Sequence, residues 1–289
     1  MDPTTLALLL SPAALALLGL CIGSFLNVVI HRLPLMLEQQ WRAESAEILG
    51  LAEPTTPPAP APALSLWHPR SRCPACGHVL AWHENIPLLG WLRLRGRCAG
   101  CQGPISKRYP LVEVATAALF AGLACVIGPQ PAVLAWCAFG ATLLAAALID
   151  WDTTLLPDQL TQPLVWAGLM AAALSLSGTA LPQALWGAVA GYGSLWSVTW
   201  FFKLATGKEG MGHGDFKLLA ALGAWLGPAM IIPILLAASM IGAIVGIGMK
   251  FSGALREGRY VPFGPFLAGA GLSVVFAGQE RVMNWLGWY

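Results

Sequence analysis

Eight apolar runs divide this chain, and only short punctuation separates the last seven. They lie at about 6–30, 111–128, 131–149, 161–178, 182–202, 217–227, 229–249 and 261–278. Most approach the ~20 residues that a helix needs to cross ~30 Å of hydrocarbon. A bilayer interior offers no water to unpaired backbone groups, so spanning segments fold as helices or closed barrels. Continuous runs without alternation predict helices here. Charged residues make up only 10% of the chain and hydrophobic ones 57%, too little charge for the surface of a soluble domain. The expected fold class is an all-α polytopic membrane protein with about eight transmembrane segments. One run stands apart: 217–227 spans only about 16 Å at ~1.5 Å per residue. It fits a membrane only if its ends are recessed within protein.

Charge orders the runs. The first lacks a basic leader and is too long for a signal sequence, which predicts a retained transmembrane helix over residues 1–30. Nine of the sixteen Lys and Arg fall between Arg32 and Arg108, placing the N-terminus outside and residues 31–110 in the cytoplasm. Alternate crossings then put Lys203, Lys208, Lys217, Lys250, Arg256 and Arg259 on the cytoplasmic side as well. The net charge of +2 gives no indication of a nucleic-acid partner. Within 31–110, a spacer rich in proline and alanine at 50–66, including Pro54-Thr55-Thr56-Pro57-Pro58-Ala59-Pro60, cannot build a core. Residues 111–289 form the expected membrane-embedded core. Gly187-x-x-x-Gly191 and Gly242-x-x-x-Gly246 suit close helix packing in lipid.

The cytoplasmic segment carries Cys73-Pro74-Ala75-Cys76 and Cys98-Ala99-Gly100-Cys101, twenty-one residues apart. Two such pairs in a reducing compartment predict one tetrahedral zinc site with four thiolates. With no open coordination position, the metal would be structural. Disulfides are the alternative. Cys21, Cys125 and Cys137 lie in apolar runs and read as small buried hydrophobes.

Carboxylates at the ends of apolar runs need partners or a function. Asp150 closes the third run and Asp215 opens the sixth, so both fall at the same membrane boundary. Two adjacent carboxylates share a proton, and the pair can then activate a water against a carbonyl. In Gly207-Lys208-Glu209-Gly210-Met211-Gly212-His213-Gly214-Asp215, glycines such as Gly212 and Gly214 are expected to permit positive φ and close approach of a substrate strand. Helix capping is the competing reading for Asp215 and for Asp158, which follows Leu156-Pro157. Asp152 reads equally as a solvated partner or a substrate contact. Glu113 reads as a helix N-terminal acid, and His213 as loop filler with no proton to move.

Together these residues resemble the type IV prepilin peptidases, bilayer-embedded aspartic proteases of the GxGD type. The likeness rests on Asp150 paired with Gly212-x-Gly214-Asp215, on Gly23-Ser24-Phe25-Leu26-Asn27 through Pro34, and on the two Cys pairs. It extends to Arg95-Gly96-Arg97-Cys98, Pro104-Ile105-Ser106-x-Arg108-Tyr109-Pro110-Leu111-Val112-Glu113 and Leu156-Pro157-Asp158. It covers nearly the whole chain apart from about residues 38–66. The resemblance implies a bifunctional enzyme of the bacterial inner membrane. It would cleave the leader of type IV prepilins or type II secretion pseudopilins after a glycine, on the cytoplasmic side. It would then methylate the new N-terminal residue, commonly Phe, with S-adenosylmethionine. Asp150 and Asp215 would be the catalytic pair, Gly212 and Gly214 their supporting loop, and Cys73, Cys76, Cys98 and Cys101 the zinc ligands. Gly96 falls in the stretch tied to methyl transfer. No Gly-x-Gly-x-x-Gly follows an expected strand, so no Rossmann site for the methyl donor is expected. A peptidase whose zinc module only braces the fold, and an ion-coupled transporter using its aspartates as a relay, remain the other readings.

Overall fold

A computed structural model describes residues 2–50, 64–208, 210–252 and 261–288. Most of the proline-alanine spacer, Glu209, Arg256 and Arg259 lie outside these residues. Among the described residues the α-helices are α1 (Pro3–Leu9), α2 (Pro12–Ile48), α3 (Leu89–Arg93), α4 (Arg108–Ile127), α5 (Ala132–Thr153), α6 (Asp158–Ala173), α7 (Leu181–Thr206), α8 (His213–Leu226), α9 (Ile231–Phe251), α10 (Gly264–Ala277) and α11 (Gln279–Trp285). Among the described residues there is no strand, only two isolated bridges. Each of the eight apolar runs contains a helix, the first crossing the break between α1 and α2 at Leu10-Ser11. Four of them, α2, α4, α5 and the stretch Pro228–Phe251 containing α9, are long and apolar enough to cross a membrane. The chain is an all-α polytopic membrane protein.

The described residues form two compact units, 1–12 with 122–289, and 13–121. In the larger one, α8 sits at the centre, packed by α6, α7 and α10. Every residue from Leu218 to Leu226 is buried. A helix that is apolar all round must be enclosed, so this short segment is sheathed by other helices, as its length required. On its α7 side, a Cβ on Gly187 or Gly191 would strike the backbone carbonyls of Gly223 or Leu219. The small residues at 187 and 191 thus let two backbones touch. Gly242 meets only a side chain, with its Cβ position 3.1 Å from Phe266. On the α6 side, the Trp225 indole donates a 2.9 Å hydrogen bond to the Leu164 carbonyl, and its ring packs at a tilt against Trp136 and Phe139 of α5. Ile232, Leu236, Met240, Ile244 and Ile247 of α9 are exposed, an apolar stripe suited to lipid.

In the smaller unit, α2 and α4 pack through Gly19 and Gly23. Added Cβ atoms there would lie 2.7 Å from the Cα atoms of Ala117 and Glu113. α2 continues to Ile48, well past its apolar stretch, with Pro34 inside it. Residues 64–107 carry the cysteine pairs and the short helix α3.

Candidate active site and metal centre

Asp150 lies in the last turn of α5, which stops where Thr154 takes a left-handed φ of 55° and Pro157 follows. The Asp150 side chain is 4% exposed. Its Oδ2 accepts a 2.9 Å hydrogen bond from the N–H of Gly264, the first residue of α10. Asp152, two residues on, is exposed. The two candidates on α5 therefore separate by burial, and Asp150 is the enclosed one.

α7 ends at Gly207, whose φ of +69° lets the chain reverse. α8 begins after Gly212, and Asp215 falls in its first turn. The cap is Gly212, and no side-chain cap bond is made. Oδ1 of Asp215 is buried with no hydrogen-bond partner, so the capping reading of Asp215 does not hold. Asp215 and Asp150 lie close enough to repel one another when both are charged.

The expectation of positive φ before Asp215 is corrected. Among the described glycines of this loop only Gly207 has it, while Gly212 sits at φ −74°. Gly214 serves close approach instead, because a Cβ would lie 2.6 Å from that of Leu156. Gly212 faces open space. The capping reading of Asp158 is likewise corrected. Asp158 is the first residue of α6, and its carboxylate takes both its oxygens to Lys217 Nζ, at 2.6 and 2.7 Å. That pair ties the start of α6 to the first turns of α8. His213 is exposed, its ring 5.3 Å from that of Phe216.

Sequence reasoning passed over Gly264. A Cβ there would come within 2.6 Å of Asp150 Oδ2 and 3.1 Å of Leu156 Cδ1. The available signal was Phe263-Gly264-Pro265 opening the last apolar run.

In the smaller unit each cysteine pair occupies a tight loop of one design. The N–H of Cys73 donates to the His78 carbonyl and that of Gly77 to the Cys73 carbonyl, both at 2.9 Å. In the second loop Cys98 pairs with Gly103 at 2.9 Å and Gln102 with Cys98 at 3.0 Å. Bridges Arg72–Val79 and Arg97–Pro104 close the two loops. All four sulfurs lie within 4.8 Å of one another, with Cys73–Cys101 at 3.9 Å and Cys76–Cys98 at 3.8 Å. Four sulfurs held tetrahedrally at ~2.3 Å from a metal would be about 3.8 Å apart. The spacing fits a metal ion, and all four thiols are free, which removes the disulfide reading. Backbone N–H groups of Cys76 and Ala75 bring the Cys73 thiol down to about 7. The His78 N–H lowers Cys76, but lost hydration and the neighbouring sulfurs outweigh it and push that thiol up to about 12. Four thiols this close do not ionise together without a cation among them.

Glu113 is not simply an acid at a helix start. It is 7% exposed, and its Oε2 accepts a 2.7 Å hydrogen bond from the N–H of Leu88. Gly96 has φ +71°, and a Cβ would lie 2.7 Å from the Trp91 ring. Backbone shape and packing against Trp91 account for the glycine.

Two family models match the chain: a bacterial peptidase A24 N-terminal domain over residues 17–127 and the type IV leader peptidase family over 137–247. The chain is 50% identical over 271 residues to a prepilin leader peptidase/N-methyltransferase of Aeromonas hydrophila, covering 93% of this chain and 91% of that one. A protein of the same name from Pseudomonas aeruginosa is 49% identical, with 93% and 91% covered. Another from Xanthomonas campestris pv. campestris is 49% identical, with 95% and 94% covered. No solved structure matches the chain significantly.

Proposed function

This chain belongs to the type IV leader peptidase family, and on that premise we propose how its residues divide the work of a prepilin leader peptidase and N-methyltransferase. Membership sets aside the ion-coupled transporter. The substrates are prepilins, or the related pseudopilins of type II secretion, presented at the bacterial inner membrane. The basic loops place residues 31–110, Asp150 and Asp215 on the cytoplasmic side and the N-terminus outside. The leader is cut there, after a glycine.

The observation that carries the proteolytic half is the buried Asp150, held by Gly264, beside an Asp215 with a buried, unpartnered oxygen. The Gly264 N–H and the N-terminal end of α10 favour negative charge on Asp150, which suits it to take a proton from water. Asp215 carries the shared proton and gives it to the scissile carbonyl oxygen. Water oxygen bonds to the carbonyl carbon, forming a tetrahedral diol. The C–N bond then breaks with its electrons staying on nitrogen, the proton taken by Asp150 goes to the departing amine, and a diol hydroxyl returns its proton to Asp215 as the carboxylic acid forms. Open space at Gly212 leaves room for the substrate backbone.

The metal of the cysteine loops is assigned as zinc, with a structural role, since four sulfurs complete its shell. S-Adenosylmethionine serves as methyl donor. The amine lone pair bonds the methyl carbon, the S–CH3 electrons return to sulfur to leave a neutral thioether, and the displaced ammonium proton passes to solvent. The test is to incubate the purified full chain with a prepilin and S-adenosylmethionine and read the product N-terminus by mass spectrometry. A shortened pilin carrying one added methyl group is expected. An uncut pilin overturns the peptidase, and a cut but unmethylated one overturns the methyltransferase.

A further inference from the structure

The smaller unit encloses a cavity of about 600 Å³ bounded by α2, the cysteine loops and the start of α4. That volume falls in the range, about 300–1,000 Å³, of sites for small organic ligands. Its lining combines groups seldom brought together without a ligand to read: two carboxylates, Glu84 and Glu113, two aromatic rings, Trp91 and Tyr109, and the short polar side chains Ser24 and Asn27. Both carboxylates are withdrawn from solvent. The Glu84 side chain is 10% exposed and accepts the Ala81 N–H at 2.8 Å. Glu113, 7% exposed, bonds the Leu88 N–H and the Ser24 hydroxyl. Leu88, also on the wall, is held at φ 59°, a conformation kept only where its surroundings enforce it.

We propose that this cavity holds the methyl donor, S-adenosylmethionine; the proposal rests on the methyltransferase reading above. The donor carries a sulfonium cation, an ammonium group, a ribose diol and a flat purine. Enclosed carboxylates attract the two cationic groups and accept hydrogen bonds from the diol. Ring faces stabilise an onium centre and stack on a purine. The remaining wall is partly aliphatic, including Leu35, Ile86, Leu94 and Ile105, and partly basic, with Arg32, Arg72 and His78, whose Nε2 lies 3.1 Å from Glu84 Oε2; the guanidinium groups suit the donor's own carboxylate. The two buried cysteines, Cys73 and Cys98, also line the cavity. The cysteine loops are therefore part of its wall.

The test is binding of radiolabelled S-adenosylmethionine to the full chain in detergent by equilibrium dialysis. Photo-crosslinking and peptide mapping of the labelled protein accompany it. Glu113→Gln keeps an oxygen for the Leu88 N–H and removes the charge, and Leu35→Trp crowds the exposed rim. Trp82→Ala alters a neighbouring, smaller cavity that Trp82 lines instead. Metal content per chain and gel-filtration elution report folding of each variant. Expected are a tenfold or greater weakening for Glu113→Gln and Leu35→Trp, less than twofold for Trp82→Ala, and crosslinks within residues 24–35 or 84–113. Unchanged binding in both folded cavity variants, or crosslinks confined to 122–289, overturns the location while leaving methyl transfer intact. A wild-type chain that neither binds the donor nor methylates pilin overturns the underlying reading as well.

Discussion

The N–H of Gly264 reaches Asp150 Oδ2 at 2.9 Å across 114 residues of chain. The start of α10 thereby holds the buried carboxylate at the end of α5. Any side chain at 264 would intrude on that oxygen, since a Cβ would lie 2.6 Å from it. Gly264→Ala is expected to lower kcat for leader cleavage about 100-fold, the scale of a 1 Å misplacement. Metal content and membrane insertion should match the wild type. Steady-state cleavage of a prepilin checks this, and an unchanged kcat would mean the contact positions nothing.

Asp158 is the carboxylate most easily mistaken for a third catalytic acid. It is paired with Lys217, and the two side chains are 50% and 27% exposed. Exposed pairs contribute about 0–1 kcal/mol. Asp158→Asn and Lys217→Met should each change stability by no more than about 1 kcal/mol and leave leader cleavage measurable. Denaturant titration in mixed micelles reads the first and a cleavage assay the second. Abolished cleavage in Asp158→Asn would move Asp158 into the chemistry.

At the α7–α8 contact, Gly187 and Gly223 bring two backbones together. Gly223→Val has no rotamer that avoids the Gly187 carbonyl. Its destabilisation should reach the upper end of the about 1–3 kcal/mol typical of overpacking, seen as a lower midpoint in the same titration. Gly242→Ala, facing only the Phe266 ring, should be far milder. Equal effects would contradict the packing described.

The two cysteine loops share a backbone, and the left-handed position after the second cysteine is Gly77 in the first loop and Gln102 in the second, at φ 74° and 58°. A left-handed conformation costs a side-chain-bearing residue about 1–2 kcal/mol. Gly77→Val should release metal to a competing chelator at lower concentration than wild type. Gln102→Gly should require more. The reverse order would show that the loops do not hold this shape around the metal.

Much of the architecture was legible because lipid leaves few choices. Apolar runs at 111–128 and 131–149 could only be helices, and the short run at 217–227 could only be sheathed by others. The metal loops were legible from local spacing alone. What escaped was pairing between distant segments. Asp158 and Asp215 both stood where caps stand, and only the folded chain shows one bound to Lys217 and the other with an unpartnered oxygen. Gly264 carries no chemistry of its own, so nothing in its neighbours announced a bond to Asp150. Glu113 behaved likewise, its partner Leu88 lying in a loop whose course no periodicity reveals.

The central claim is that Asp150 and Asp215 act as one unit. Asp150→Asn, Asp215→Asn and the double variant should be compared in leader cleavage under single-turnover conditions, each checked for metal content and insertion. Each single change should lower the rate at least about 1,000-fold, and the double no further, as for groups that work together. Substantial cleavage by either folded single variant, or losses that multiply in the double, would contradict the shared-proton account.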